Sequence, residues 1–307
     1  MVPLTTDLIS SVDEINLRDW VFHIAKDPIP CRTMNYTQPG AAIPTLYEAD
    51  DFLAGQLSRW GYVTEREPCQ VQPFRRDENK PIHHQYSAPH QDDPWYTAYN
   101  LYATRTGSEL PNDVIILISH KDSQSWITCA PGAMDNGVGT VANLELARVL
   151  SQYDPRRTIW HVWCNEEHTP WSSEMTAKRV VESGLNLHAA INIDSFGGKD
   201  DSKRDRMVNV TGYITAEGER IADLQAELNE RFDIGLEQTK FRREFANDDD
   251  GSFIKAGLPA AAVMVGSFPY DDPNYHLLSD VPEAIDFSNV RLSTQLALAT
   301  VLELDAE

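Results

Sequence analysis

The chain has 307 residues, of which 41 % are apolar and 24 % charged, with 47 acidic against 26 basic side chains and a net charge of −21. This is ordinary globular composition, which excludes a disordered chain. The negative surplus argues against unassisted binding to nucleic acid or to an anionic membrane. No apolar run approaches the roughly 20 residues of a membrane span. The opening residues show no basic segment followed by an apolar core, so a cytoplasmic protein is expected. Cys31, Cys69, Cys129 and Cys164 form no Cys-x-x-Cys pair and are expected to be reduced thiols, with a Cys31–Cys69 bridge left open.

The first 60 residues carry helical patterns. Apolar residues recur at helical spacing from Leu4 to Lys26, and Leu46, Leu53, Leu57 and Trp60 form a stripe that Gly61 ends. From about 72 to 98 the pattern is lost among prolines, histidines and charges, which predicts a long loop insertion. Strands and helices then alternate. Strands are expected over Tyr99–Arg105, Val114–Ser119, Thr158–Trp163, His188–Ile193, Met207–Tyr213 and Ala260–Val265. Helices are expected over Val138–Ser151, Ser172–Ser183, Thr215–Phe232 and Phe287–Leu304. Continuous apolar runs such as Val-Ile-Ile-Leu-Ile at 114–118 suit strands buried on both faces. The expectation is a single domain, 1–307, with a three-layer α/β/α architecture and a mostly parallel, mixed central sheet.

In such a sheet, ligands bind beyond the carboxyl ends of the strands. Val114–Ser119 runs into His120-Lys121-Asp122, Thr158–Trp163 into Cys164-Asn165-Glu166-Glu167, and His188–Ile193 into Asp194. Asp135 precedes the Val138 helix, and His276 follows the Ala260 strand. An isolated histidine or aspartate at a strand end is usually a cap or a satisfied polar group. Five on one edge, two imidazoles and three carboxylates, suit zinc. His120 and His276 would each supply nitrogen to one of two ions, and Asp135 has two oxygens with which to bridge them. Asp194 and Glu167 would complete the two sets. Asp122 is suited to accept the other ring N–H of His120. Glu166 stands beside a ligand and can serve as a general base toward a metal-activated water.

With His120-x-Asp122, Asp135-Asn136-Gly137, Glu166-Glu167, Asp194, His276 and the block Asp249-Asp250-Gly251-Ser252-Phe253, the sequence resembles the co-catalytic di-zinc exopeptidases. That family includes bacterial leucyl aminopeptidase, aminopeptidase Y and, as a divergent branch, glutaminyl cyclase. The resemblance runs over roughly residues 45–304. It implies a zinc-exopeptidase-like fold and two Zn2+ ions, one on His120 and Asp194 and one on Glu167 and His276, bridged by Asp135. It also implies Glu166 as general base, a peptide or small amide with a free N-terminus as substrate, and a cis peptide after Asp135.

The chain departs from the family pattern in three places. His168 and Trp171 follow the paired glutamates where family members carry small residues, and both are candidate substrate contacts. Phe245 stands where a tyrosine can hold the oxyanion, which leaves Tyr275 as a candidate donor. Asp248-Asp249-Asp250 is expected to be a turn with a solvated face, and His83, His84 and His90 to lie on a solvated or pocket-covering loop. His161 and Trp163 are expected to pack inside a strand. The leading expectation is an aminopeptidase. The alternatives are aminoacyltransferase chemistry on N-terminal glutamine and a metal-free binding protein.

Overall fold

The computed structural model describes residues 2–307; residue 1 lies outside them. Helices α1 (Val2–Ser10), α2 (Glu14–Ala25) and α3 (Thr45–Arg59) open the chain. The stretch expected as one helical pattern is two helices, because Asp13 caps the second by accepting the Ile15 N–H at 2.8 Å. Gly61 adopts φ +84° just beyond α3, a conformation glycine reaches without strain.

Strands β1 (Thr64–Pro73), β2 (Arg75–Arg76), β3 (Tyr86–Ser87), β4 (Tyr96–Arg105) and β5 (Leu110–His120) follow. The remaining elements are α4 (Val138–Leu150), β6 (Arg157–Cys164), β7 (His168–Thr169), α5 (Ser173–Ser183), β8 (Asn186–Ile193), β9 (Val208–Tyr213), α6 (Ala216–Arg231), β10 (Glu237–Arg242), α7 (Asp248–Lys255), β11 (Ala261–Val265) and α8 (Phe287–Ala306). Nine strands form one mixed sheet in the order β10-β9-β11-β8-β5-β6-β4-β1-β7. β11, β8, β5 and β6 run parallel at its centre, and β4 and β1 are antiparallel.

The apolar run of β5 is buried on both faces. Ile115 and Leu117 pack with α1, α2, α4, α6 and α8 on one side. Val114, Ile116 and Ile118 pack with Ala177 and Val180 of α5 and Phe253 of α7 on the other. Alternation of side chains along a strand makes this three-layer sandwich from one unbroken apolar run.

The 72–98 segment is more ordered than a loop. Arg75 and Arg76 pair with Ser87 and Tyr86 as a small hairpin, and Ile82–His84 makes a short 3-10 turn. Arg75 holds Asp93 through two hydrogen bonds of 2.7 and 2.5 Å, and Phe74 N–H donates to Ser125 at 2.8 Å. All four cysteines are free thiols, so the pairing left open between Cys31 and Cys69 is not formed. Among the described residues no helix is long and apolar enough to cross a membrane.

Candidate metal centre

Register brings the polar residues together. His120 is the last residue of β5 and pairs with Cys164, the last of β6. Asp194 directly follows β8, and its N–H donates to the Met264 carbonyl of β11 at 3.0 Å. The side chains gather into two groups that share one carboxylate: His120, Asp135 and Asp194, and Asp135, Glu167 and His276. His120 Nε2 lies 3.2 Å from Asp135 Oδ1 and 3.5 Å from Asp194 Oδ1. His276 Nε2 lies 3.0 Å from Asp135 Oδ2 and 3.2 Å from Glu167 Oε1. Tetrahedral zinc with ligands near 2.0–2.1 Å has donor–donor edges of roughly 3.3 Å, so both groups fit that ion.

The electrostatics fit a cation as well. Burial draws the His276 imidazole down, but Glu167 and Asp135 outweigh it and push it up to about 10. Burial, then Asp135, pushes Glu167 up to about 7. The buried cluster has more carboxylates than positive partners, and divalent ions would supply the missing charge.

Asp135 is held by residues far away in sequence. Asp280, fully buried, accepts the N–H groups of Met134 and Asp135 at 2.7 and 3.1 Å. The Asp135–Asn136 peptide is cis. The Asn136 amide donates to the Ile193 carbonyl at 2.8 Å and accepts from Gly139 and Ser195 N–H at 2.9 and 3.1 Å. A Cβ at Gly139 would stand 2.2 Å from Asn136 Oδ1, so this close approach needs glycine. Arg32, also fully buried, donates to the carbonyls of Lys121, Ile24, Pro131 and Gly132 at 2.6–2.9 Å. Its guanidinium thereby ties the loop after His120 to the loop before Asp135.

Asp122 does more than the sequence suggests. The Nδ1–H of His120 points between the Asp122 carbonyl at 3.2 Å and its Oδ1 at 3.3 Å. The same carboxylate accepts the Glu166 N–H at 3.0 Å and the Nδ1–H of His168 at 2.7 Å. His168 Nε2 accepts the Met34 N–H at 3.2 Å. His168 is fully buried with both ring nitrogens engaged, which corrects the expectation that it contacts substrate. It is a brace between the N-terminal segment and Asp122.

A cavity of about 320 Å³ opens onto these groups. Trp171, Tyr275, Glu166, Glu167 and His276 line it, as do Phe74 and Tyr86 from the insertion and Trp126. Glu166 Oε2 has no hydrogen-bond partner. Burial, with Asp249 and Asp248, pushes this carboxyl well above the usual range. Phe245 is 74 % exposed and lies outside the cavity, which corrects its expected place. The phenol that sequence reasoning missed is Tyr270, whose O–H donates to Asp248 at 3.1 Å and to Asp194 at 3.4 Å. Asp248-Asp249-Asp250 is not a solvated turn. All three are buried in the first turn of α7, Asp248 and Asp250 bind the Arg243 guanidinium, and Asp249 accepts from the Cys164 thiol. The helix N-terminus adds favourable partial charge.

The chain is 26 % identical over 227 residues to a "Probable aminopeptidase" of Saccharomyces cerevisiae, an alignment covering 70 % of this chain and 59 % of that protein. The chain thus spans little more than half of that relative's length. Its fold resembles an aminopeptidase from Aneurinibacillus sp. strain AM-1, with TM-score 0.75, 16 % identity, and coverage of 97 % of this chain and 95 % of that one. It also resembles a Fimbriiglobus ruber glutaminyl cyclase, with TM-score 0.69, 16 % identity and 95 % of each chain covered. The profile of Peptidase family M28 matches residues 100–301, from the strand before His120 to the last helix, and the chain belongs to that family.

Proposed function

We propose that this chain is a two-zinc aminopeptidase that removes the N-terminal residue of a peptide. The observation that carries the reading is the position of one carboxylate, Asp135, whose two oxygens each face a different histidine at 3.0 and 3.2 Å. His120 and Asp194 would hold one ion and Glu167 and His276 the other, with Asp135 shared. Bound zinc supplies Lewis acidity toward the scissile carbonyl and makes water a better nucleophile at neutral pH.

The rest falls to the protein. Glu166, which lines the cavity and has one oxygen without a hydrogen-bond partner, takes a proton from the attacking water and returns it to the leaving amine. Asp122, bonded to the Glu166 N–H, fixes the backbone that carries this base. Glu166, Glu167 and Asp248 on the cavity wall attract a free α-ammonium group. The aromatic wall excludes water around the side chain that follows it.

Incubation with peptides, their N-acetylated forms and an N-terminal glutaminyl peptide tests this reading. Release of free amino acid from unblocked peptides alone is expected. Ammonia from the glutaminyl peptide without amino acid release would place the chain with the cyclases instead.

A further inference from the structure

The two candidate ligand histidines are braced differently. His120 is braced by its own loop, through Asp122. His276 is braced by the insertion. Its Nδ1–H donates to the carbonyl of His83 at 2.7 Å, and the Nδ1–H of His83 donates in return to the carbonyl of Tyr275 at 2.6 Å. The two bonds link the 82–84 turn to the loop carrying the ligand, across more than 190 residues of sequence. His276 has φ +57°, a left-handed backbone that few residues other than glycine adopt. The insertion adds a second contact, since Tyr86 meets the His276 ring edge-on with centroids 5.9 Å apart. Trp126 packs edge-on at 4.9 Å and also touches Tyr86 and Phe74, so the imidazole sits in an aromatic sleeve built partly from the insertion.

We infer that His83 is a positioning residue for His276, so that the 72–98 insertion belongs to one of the two metal positions and not to the other. The inference rests on the ligand assignment proposed above. The carbonyl of His83 fixes the His276 tautomer that leaves Nε2 free to bind an ion, and the His83 side chain keeps that carbonyl in place. Partners of this kind typically alter metal affinity ten- to a hundredfold. Linkage is reciprocal: an ion that holds His276 also holds the insertion turn.

The test is stepwise zinc titration of the full-length protein against a chromophoric chelator, for wild type, His83→Ala and His83→Asn. His83 is a partly exposed turn residue, and thermal unfolding of the zinc-free proteins checks that each variant folds. In His83→Ala one zinc equivalent is expected to weaken by roughly tenfold or more while the other stays within about twofold. His83→Asn, which keeps a donor near the Nδ1 position, is expected to recover most of the loss. In wild type, filling the site that His83→Ala weakens is expected to slow amide deuterium exchange over residues 82–87. Two unaltered equivalents in His83→Ala, equal weakening of both, or an Asn variant no better than Ala would overturn the inference alone. Wild-type protein that takes up no zinc would overturn the ligand assignment and the inference with it.

Discussion

His168 donates to Asp122 across 2.7 Å, and through that carboxylate the N-terminal segment reaches the candidate general base. The chain of bonds runs from Met34 N–H to His168 Nε2, from His168 Nδ1–H to Asp122, and from Glu166 N–H to the other Asp122 oxygen. Replacing His168 by alanine leaves the Met34 N–H without its partner and removes a donor from a buried carboxylate, at a cost of about 2–4 kcal/mol. Because Glu166 loses its reference point, kcat is expected to fall by at least about tenfold with KM within a few-fold. Steady-state kinetics beside denaturant unfolding check this, and a loss confined to stability would refute the positioning role.

Arg32 lies outside the segment matched to the family, yet it joins both ligand loops through the carbonyls of Lys121, Pro131 and Gly132, and ties them to α2 through that of Ile24. Arg32→Met keeps apolar bulk but strands those carbonyls in a fully buried place. A loss of about 3–5 kcal/mol is expected in urea unfolding. A variant within about 1 kcal/mol of wild type would show that the clamp is dispensable.

Tyr270 and Phe245 offer a paired test. Tyr270 lines the cavity with its hydroxyl toward Asp194 and Asp248, while Phe245 faces solvent. Tyr270→Phe is expected to lower kcat/KM by roughly tenfold or more, by loss of a donor close to the reacting groups. Phe245→Ser is expected to stay within about twofold. The reverse ranking in aminopeptidase assays would refute a role for the Tyr270 hydroxyl.

His161 predicts an acid limit to stability. It is fully buried between Tyr62 and Trp163, its Nδ1–H donates to Asn143 at 2.9 Å, and Nε2 has no partner. Burial holds its pKa down at about 3, below the value near 6.5 of an unfolded chain. The unfolded state therefore binds the proton more readily. The stability of neutral His161 is complete above pH 6.5 and is lost as pH falls from 6.5 toward 3. Between pH 6.5 and 5 this amounts to about 2 kcal/mol. His161→Gln is expected to remove that slope from urea unfolding, whereas identical pH dependence in both proteins would assign the acid loss elsewhere.

These residues also show what a sequence can reveal. His120, Glu167 and Asp194 were visible because apolar strands stop at or just before them, and parallel register carries strand ends to one edge. Asp135 and His276 stand in longer loops, before α4 and after β11, and were visible through the pattern of residue types. The layers followed from the same runs. The braces were not visible, because Met34, His168 and Asp122 meet only through folding, and His83 reaches His276 across the whole catalytic segment. Asp248-Asp249-Asp250 looked solvated because nothing in the local pattern shows Arg243 folding back onto it. Strand β10, Glu237–Arg242, is a polar edge strand that lacks the alternation of a half-buried one. Tyr270 sits in an irregular loop after β11, where periodicity carries no information.

The central claim is that Glu166 moves the proton while five other residues hold the metal. Glu166→Gln, assayed for bound zinc by elemental analysis and for turnover on an unblocked peptide, tests both halves in one protein. Two zinc ions per chain, as in wild type, with turnover lower by roughly 10²–10⁴ is the predicted result. A Glu166→Gln protein that turns over at the wild-type rate, or that has lost its zinc, would contradict the account.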